Sequence, residues 1–211
     1  MKIVPAILTA DLKDLELKIR QVESFSDLAQ IDIMDGKFVP SKSITAGDLA
    51  KIKTKLFLEA HLMVENPLKE IISFKEAGVK RIIFHFESQD EPEEVIKKLR
   101  KENIEVGLAI NPETEIKDVE KFLNDIDLLL IMAVNPGFYG SRFIPEVLRK
   151  AQELYPKKRN YLLGLDGGVK RGNIRKVSFS GIEIVYVGSG IFGEGEPKKN
   201  FFLLLEEIKE V

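Results

Sequence analysis

Short apolar runs rich in Ile, Val and Leu alternate along the chain with longer stretches whose apolar positions recur every three to four residues. The first kind reads as strands buried on both faces, the second as amphipathic helices. Strands are expected at 2–8, 28–34, 56–63, 81–85, 104–110, 128–134, 161–166 and 182–187, and helices at 12–22, 46–53, 67–77, 92–101, 116–123, 145–155, 170–177 and 197–209. Several boundaries carry their own signals. Pro67, Pro92 and Pro112 sit at or near helix starts, and Gly78 stands where a helix C-cap belongs. Eight strand-then-helix units in 211 residues, with no linker or sequence repeat between them, predict an α/β fold: a (β/α)8 (TIM) barrel spanning 1–211 as a single domain. An open doubly wound sheet is the alternative that the same alternation allows.

One stretch departs from the apolar pattern. Gln30-Ile31-Asp32-Ile33-Met34-Asp35-Gly36-Lys37 puts carboxylates into an otherwise buried strand. A carboxylate taken out of water needs a cation, a metal or hydrogen-bond donors, or it loses its charge. With a side-chain period of two, Gln30, Asp32 and Met34 share one face, while Ile31 and Ile33 share the other and can pack against helices. Asp32 then points into the strand-lined interior, just before the Asp35-Gly36 turn signal. The plainer reading makes Asp32 a turn or capping residue.

In a closed barrel the chemistry sits where strands end, so the unusual residues at those ends decide between the readings. Strand three ends with Glu59, His61 and Met63 on one face; strand four ends with His85, strand six with Met132, strand seven with Asp166-Gly167-Gly168 and strand eight with Gly188-Ser189-Gly190. An inward His is more often a satisfied core residue than a ligand. Here Asp32, His61 and Asp166 come from the ends of strands two, three and seven and can converge on one divalent ion. The glycine loops after strands seven and eight stand where this architecture binds phosphate. Met34, Met63 and Met132 read either as core filler or as an apolar collar that excludes water. Glu59 is expected to orient a Lys or His. Residues 188–193 match GxGxxG, but the chain ends too soon afterwards to supply a dinucleotide-binding unit.

Composition narrows the field further. The formal net charge is -2 with the basic residues dispersed, which argues against a nucleic-acid partner. No apolar run is long enough to span a bilayer and no signal-peptide layout opens the chain, so a cytoplasmic location is expected. With no cysteine, any metal must be held by His, Asp, Glu or amide oxygens. Abundant Lys and Glu hint at a thermophilic source.

Taken together, Pro5-Ala6-Ile7-Leu8-Thr9-Ala10-Asp11, Ile31-Asp32-Ile33-Met34-Asp35-Gly36 with Phe38-Val39-Pro40, His61-Leu62-Met63, Val134-Asn135-Pro136-Gly137-Phe138, Asp166-Gly167-Gly168 and Gly188-Ser189 resemble the ribulose-phosphate 3-epimerase family over nearly the full length. The resemblance implies a cytoplasmic isomerase of the pentose phosphate pathway. Such an enzyme interconverts D-ribulose 5-phosphate and D-xylulose 5-phosphate with a divalent ion (Zn, Mn, Fe or Co). It implies that Asp32 and Asp166 are the acid/base pair and metal ligands, with His61 a further ligand. It places Gly137, Gly140, Gly167, Gly168, Gly188 and Ser189 around the phosphate, and Met34, Met63 and Met132 along the site. Family members often form dimers or hexamers, so a homo-oligomer is an expectation.

Three positions depart from the family pattern. Gln30 stands in place of the fourth ligand histidine, Ala6 in place of a serine, and Lys37 where histidine is common. A glutamine carbonyl is a poorer ligand than imidazole for a transition metal, and if no ion is held, Gln30 N–H and Lys37 are the substitute donors. Two other readings follow: an epimerase, decarboxylase or aldolase acting on another ketose phosphate, and a sugar-phosphate-binding paralogue with impaired catalysis. Decarboxylases of this kind use Asp-x-Lys-x-x-Asp, an order that Asp32, Asp35 and Lys37 do not follow.

Overall fold

The apolar runs form eight parallel strands that pair in chain order: β1 (Lys2–Ile7), β2 (Leu28–Met34), β3 (Phe57–Met63), β4 (Arg81–His85), β5 (Glu105–Ile110), β6 (Leu128–Met132), β7 (Leu162–Asp166) and β8 (Ile184–Val187). β8 pairs back onto β1, so the sheet closes and the open doubly wound alternative is excluded. The computed structural model describes residues 1–137, 140–154 and 159–209. Phe138, quoted in the family motif, and Tyr155, expected at a helix end, lie outside the described residues.

The connecting helices are α1 (Leu12–Val22), α2 (Ala46–Leu49), α3 (Ile71–Glu76), α4 (Pro92–Lys101), α5 (Ile116–Val119), α6 (Leu148–Leu154), α7 (Ile174–Ser178), α8 (Ser189–Phe192) and α9 (Pro197–Lys209). Helix α1 starts where the Asp11 side chain accepts from Asp14 N–H, and it buries the stripe Leu15, Ile19 and Val22. Helix α4 opens on Pro92 and buries Val95, Ile96 and Leu99. Several helices are shorter than their amphipathic patterns. The stretches expected to open at Pro67 and Pro145 begin as 3-10 turns, Pro67–Lys69 and Pro145–Val147. Helix α7 starts only at Ile174 because Gly172 has a φ of +87°, which no right-handed helix accommodates. The small helix α8 follows the glycine loop after β8, where this architecture places a short helix N-terminus.

Two apolar layers result from the period of two along the strands. Ile31, Ile33, Leu62 and Phe84 face outward into the layer beneath the helices. Val4, Ala6, Ile83, Leu130 and Tyr186 fill the barrel interior. The interior also holds buried polar residues. Low in the barrel, Glu59 is fully buried and pairs with Arg81, which also reaches Glu105. The parallel register sets Glu59 beside Arg81, so its partner is an arginine and not the expected Lys or His. Among the described residues, no helix is long and apolar enough to cross a membrane.

Candidate active site

Asp32 lies near the end of β2, His61 beside it in register on β3, and Asp166 is the last residue of β7. The alternation of side chains turns all three into the barrel mouth together with Gln30. His61 Nδ1 lies 3.3 Å from Asp32 Oδ1 and 3.3 Å from Asp166 Oδ2. Gln30 Nε2 donates to the same two oxygens, over 2.9 and 2.6 Å. Asp32 Oδ2 and Asp166 Oδ1 accept no hydrogen bond from the described residues, which leaves one oxygen of each carboxylate for a ligand.

Burial shapes the charges of this cluster. It pushes Asp32 above the usual carboxylate range, and the neighbouring charge of Asp166 adds to that against the pull of His61. Burial alone would lower His61, but hydrogen bonds to Asp166 and Asp32 outweigh it and hold the imidazole up at about 9. In the absence of a metal the cluster therefore holds an imidazolium between two acids. Asp35, three residues beyond Asp32, has the plainer role. Its Oδ1 accepts from the N–H groups of Lys37 and Phe38, and its Oδ2 from Glu65 N–H, so it shapes the turn after β2.

A cleft partly open to solvent lies over the cluster. Its walls include Asp32, His61, Asp166, Met34, Met63, Met132, Gly137, Gly140, Gly167, Gly168, Gly188 and Ser189. The structure thus brings every residue named from sequence as facing the substrate to one place. Ala6 is on the wall as well, whereas Gln30 is fully buried just beneath. Lys37 is elsewhere: its side chain is exposed and its Nζ lies 3.7 Å from Glu65, so it is no donor to this cleft. At Gly167 a Cβ would lie 2.4 Å from Val134 Cγ2, and at Gly168 (φ +66°) 2.7 Å from the backbone nitrogen of Phe143. Neither position admits a side chain, so bare backbone faces the cleft there. Helix α8 starts directly after Gly188, leaving the N–H groups of Ser189 and Gly190 without partners inside the helix.

Sequence reasoning left two neighbours without a role. His85, at the end of β4, places its Nε2 3.0 Å from His61 Nε2, and Glu87 Oε2 lies 3.3 Å from His85 Nδ1. The available signal was the pair of polar residues two apart where β4 leaves the barrel.

The donor set suits a divalent cation. One ligand atom from each of Asp32, His61 and Asp166 falls within 4.8 Å of the others. Ligands about 2.0–2.1 Å from a tetrahedral ion stand about 3.3–3.4 Å apart, and the two distances from His61 Nδ1 to the carboxylates are both 3.3 Å. Gln30 Oε1 is buried and has no hydrogen-bond partner among the described residues. Half a turn of that amide would present an oxygen to the same point.

Comparison with known proteins decides the lineage. The model of the ribulose-phosphate 3 epimerase family matches residues 2–192. The chain belongs to the ribulose-phosphate 3-epimerase family. It is 36% identical over 219 residues to the ribulose-phosphate 3-epimerase of Aquifex aeolicus, covering 98% of each chain. It is 35% identical over 209 residues to that of Bacillus subtilis, covering 94% of this chain and 95% of the other. Membership makes this chain an isomerase of the epimerase type. Solved barrels of other activities share the fold: 3-hexulose-6-phosphate synthase from Salmonella typhimurium has a TM-score of 0.75 at 15% identity, covering 100% of this chain and 99% of that one. N-(5'-phosphoribosyl)anthranilate isomerase from Pyrococcus furiosus has a TM-score of 0.68 at 17% identity, covering 100% of both.

Proposed function

We propose that this epimerase-family chain interconverts D-ribulose 5-phosphate and D-xylulose 5-phosphate by removing and returning the proton at C3. One observation carries the reading: two carboxylates from β2 and β7 meet around one buried imidazole, each with an oxygen left over, at the floor of a cleft with glycine loops on its wall.

Epimerisation beside a ketone breaks the C3–H bond, passes the electron pair onto the C2 carbonyl as an enediolate, and then forms a C–H bond on the opposite face. Two acids on opposite walls serve both directions. One of Asp32 and Asp166 takes the proton as carboxylate while the other, protonated, donates. Asp32, raised by burial and by its neighbour, is suited to hold a proton between turnovers. Gln30 anchors the inner oxygen of each carboxylate and so aims the outer ones into the cleft. Met34, Met63 and Met132 are each at most 5% exposed and line the cleft, keeping water from the enediolate. The backbone at Gly167, Gly168 and Gly188 with Ser189 takes the phosphate, with Gly137 and Gly140 on the adjoining loop. Asp32, His61 and Asp166 would hold a divalent cation, with Gln30 Oε1 as the fourth ligand. Such a cation, when bound, supplies the positive charge that polarises the carbonyl and its neighbouring hydroxyl.

A second reading has its own observation. Gln30 replaces the histidine of the family pattern and its amide already bridges both carboxylates, which suits a protein that binds a sugar phosphate and turns it over poorly. One assay separates the readings. Protein stripped with EDTA is reloaded with Zn, Mn, Co or Fe and given D-ribulose 5-phosphate. Xylulose 5-phosphate formation with at least one ion is expected. Saturable binding with no turnover under every ion would establish the second reading, and turnover only of a six-carbon ketose 6-phosphate would move the substrate.

A further inference from the structure

Behind His61, on the side away from the cleft, the hydrogen-bond chain runs on through residues that line no part of the cleft. His85 is fully buried, and its ring meets that of His61 edge to edge, the centroids 5.1 Å apart and the planes 19° from parallel. Its Nε2 faces His61 Nε2 at 3.0 Å and its Nδ1 faces Glu87 Oε2 at 3.3 Å. The other Glu87 oxygen accepts the Asn111 N–H over 2.8 Å and also the Thr114 hydroxyl. Those donors are themselves held in place. The buried Lys150 ammonium, on α6, donates to the carbonyls of Asn111, Pro112 and Thr114 over 3.0, 2.8 and 2.6 Å.

A contact between two ring nitrogens has room for one proton, so this chain has a direction. Glu87 is an acceptor at both oxygens. It therefore draws a proton onto His85 Nδ1, which leaves His85 Nε2 as a lone pair. The proton in the contact between the rings then belongs to His61 Nε2. A neutral His61 with its proton on Nε2 has a bare Nδ1, and Nδ1 is the atom 3.3 Å from both aspartates. We propose that Glu87, acting through His85, is a positioning residue for the cation site. Once the second proton of the imidazolium, on Nδ1, has left, the proton that His61 retains stays on Nε2, so a bare Nδ1 faces the space between Asp32 and Asp166. The role rests on the cation reading given above, and it extends the site from the barrel mouth to the loop that follows β5.

Glu87→Gln is the informative change because it preserves shape and reverses direction. The Asn111 N–H requires an oxygen facing it, so the new NH2 turns toward His85 Nδ1. His85 then moves its proton to Nε2 and donates to His61 Nε2, so the proton that a neutral His61 retains sits on Nδ1, where it competes with a cation. Loss of such an outer hydrogen bond typically weakens metal binding by about 10–100-fold.

The test uses the full chain. It contains two histidines, so its four imidazole nitrogens are separable by 15N NMR. In the wild-type protein, with or without Zn2+, His85 should show a protonated Nδ1 and an unprotonated Nε2. In the Glu87→Gln protein that pattern should invert, and the Zn2+ dissociation constant should rise about 10–100-fold. His85→Phe, which can neither donate nor accept, should weaken Zn2+ binding similarly. Unchanged Zn2+ affinity in Glu87→Gln overturns the role, and so does a Zn2+-binding wild-type protein with the His85 proton on Nε2. A wild-type protein that binds no Zn2+ overturns the cation reading itself and this role with it.

Discussion

His61 makes the folding stability of the metal-free protein fall with pH over a defined window. The imidazole is buried between Asp32 and Asp166, and their hydrogen bonds hold it protonated up to about 9 against an ordinary value of 6.5. The native state therefore keeps a proton that the unfolded chain gives up near 6.5. That stabilisation is fully present below 6.5 and is lost as pH rises through about 9. At 1.36 kcal/mol per pH unit the loss across the window is on the order of 3 kcal/mol. For a chain of this size that corresponds to a melting temperature lower by roughly 10 °C. Lys150, lowered by burial, shifts stability the opposite way at the alkaline end of the range. His85 is lowered by burial against Glu87, so its contribution is complete by 6.5, while Asp32 is raised and shifts stability in the same direction starting from lower pH. The assay is thermal and urea unfolding of EDTA-treated protein from pH 6 to 10, with His61→Gln alongside. The variant should be less stable below 6.5 and decline less through the window, and saturating Zn2+ should remove the decline in the wild-type protein. A flat wild-type profile, or an unchanged slope in His61→Gln, would refute the placement of a proton between the two aspartates.

Two further outcomes follow from the same geometry. Gln30→His places an imidazole where the amide now bridges the carboxylates and should tighten Zn2+ binding at least tenfold by isothermal titration calorimetry; weaker binding would show that the amide, and not a fourth ligand, suits this cluster. Arg81→Met strips the fully buried Glu59 of its partner and should cost about 3–5 kcal/mol in urea unfolding, with the cleft chemistry altered far less than the stability.

Much of this molecule was legible in the chain because function here takes the form of polar residues where the strand pattern calls for apolar ones. Asp32 and His61 are readable as inward-facing from period two and Asp166 as the end of its strand, and barrel closure brings the three together. What stayed hidden depends on register between strands. Glu59 meets Arg81 only because β3 and β4 pair at that step, and His85 reaches His61 across the same two strands. Neither spacing is local in sequence. Helix α7 misled for a different reason: its apolar stripe extends across Gly172, whose backbone conformation ends the helix where the pattern would continue it. Lys37 looked like a site residue from its place in the Asp-Gly turn, yet the turn that Asp35 builds sends it to Glu65 at the surface.

The central claim is that Asp32 and Asp166 address opposite faces of one substrate carbon, and exchange of the C3 proton in D2O tests it most directly. Asp32→Asn and Asp166→Asn should each stop epimerisation, with rates down by about 10²–10⁴-fold or more. Each should still wash deuterium into C3 of one epimer only, and the epimer should differ between the two variants. Exchange into both epimers by either variant, or epimerisation at the wild-type rate, would contradict the assignment.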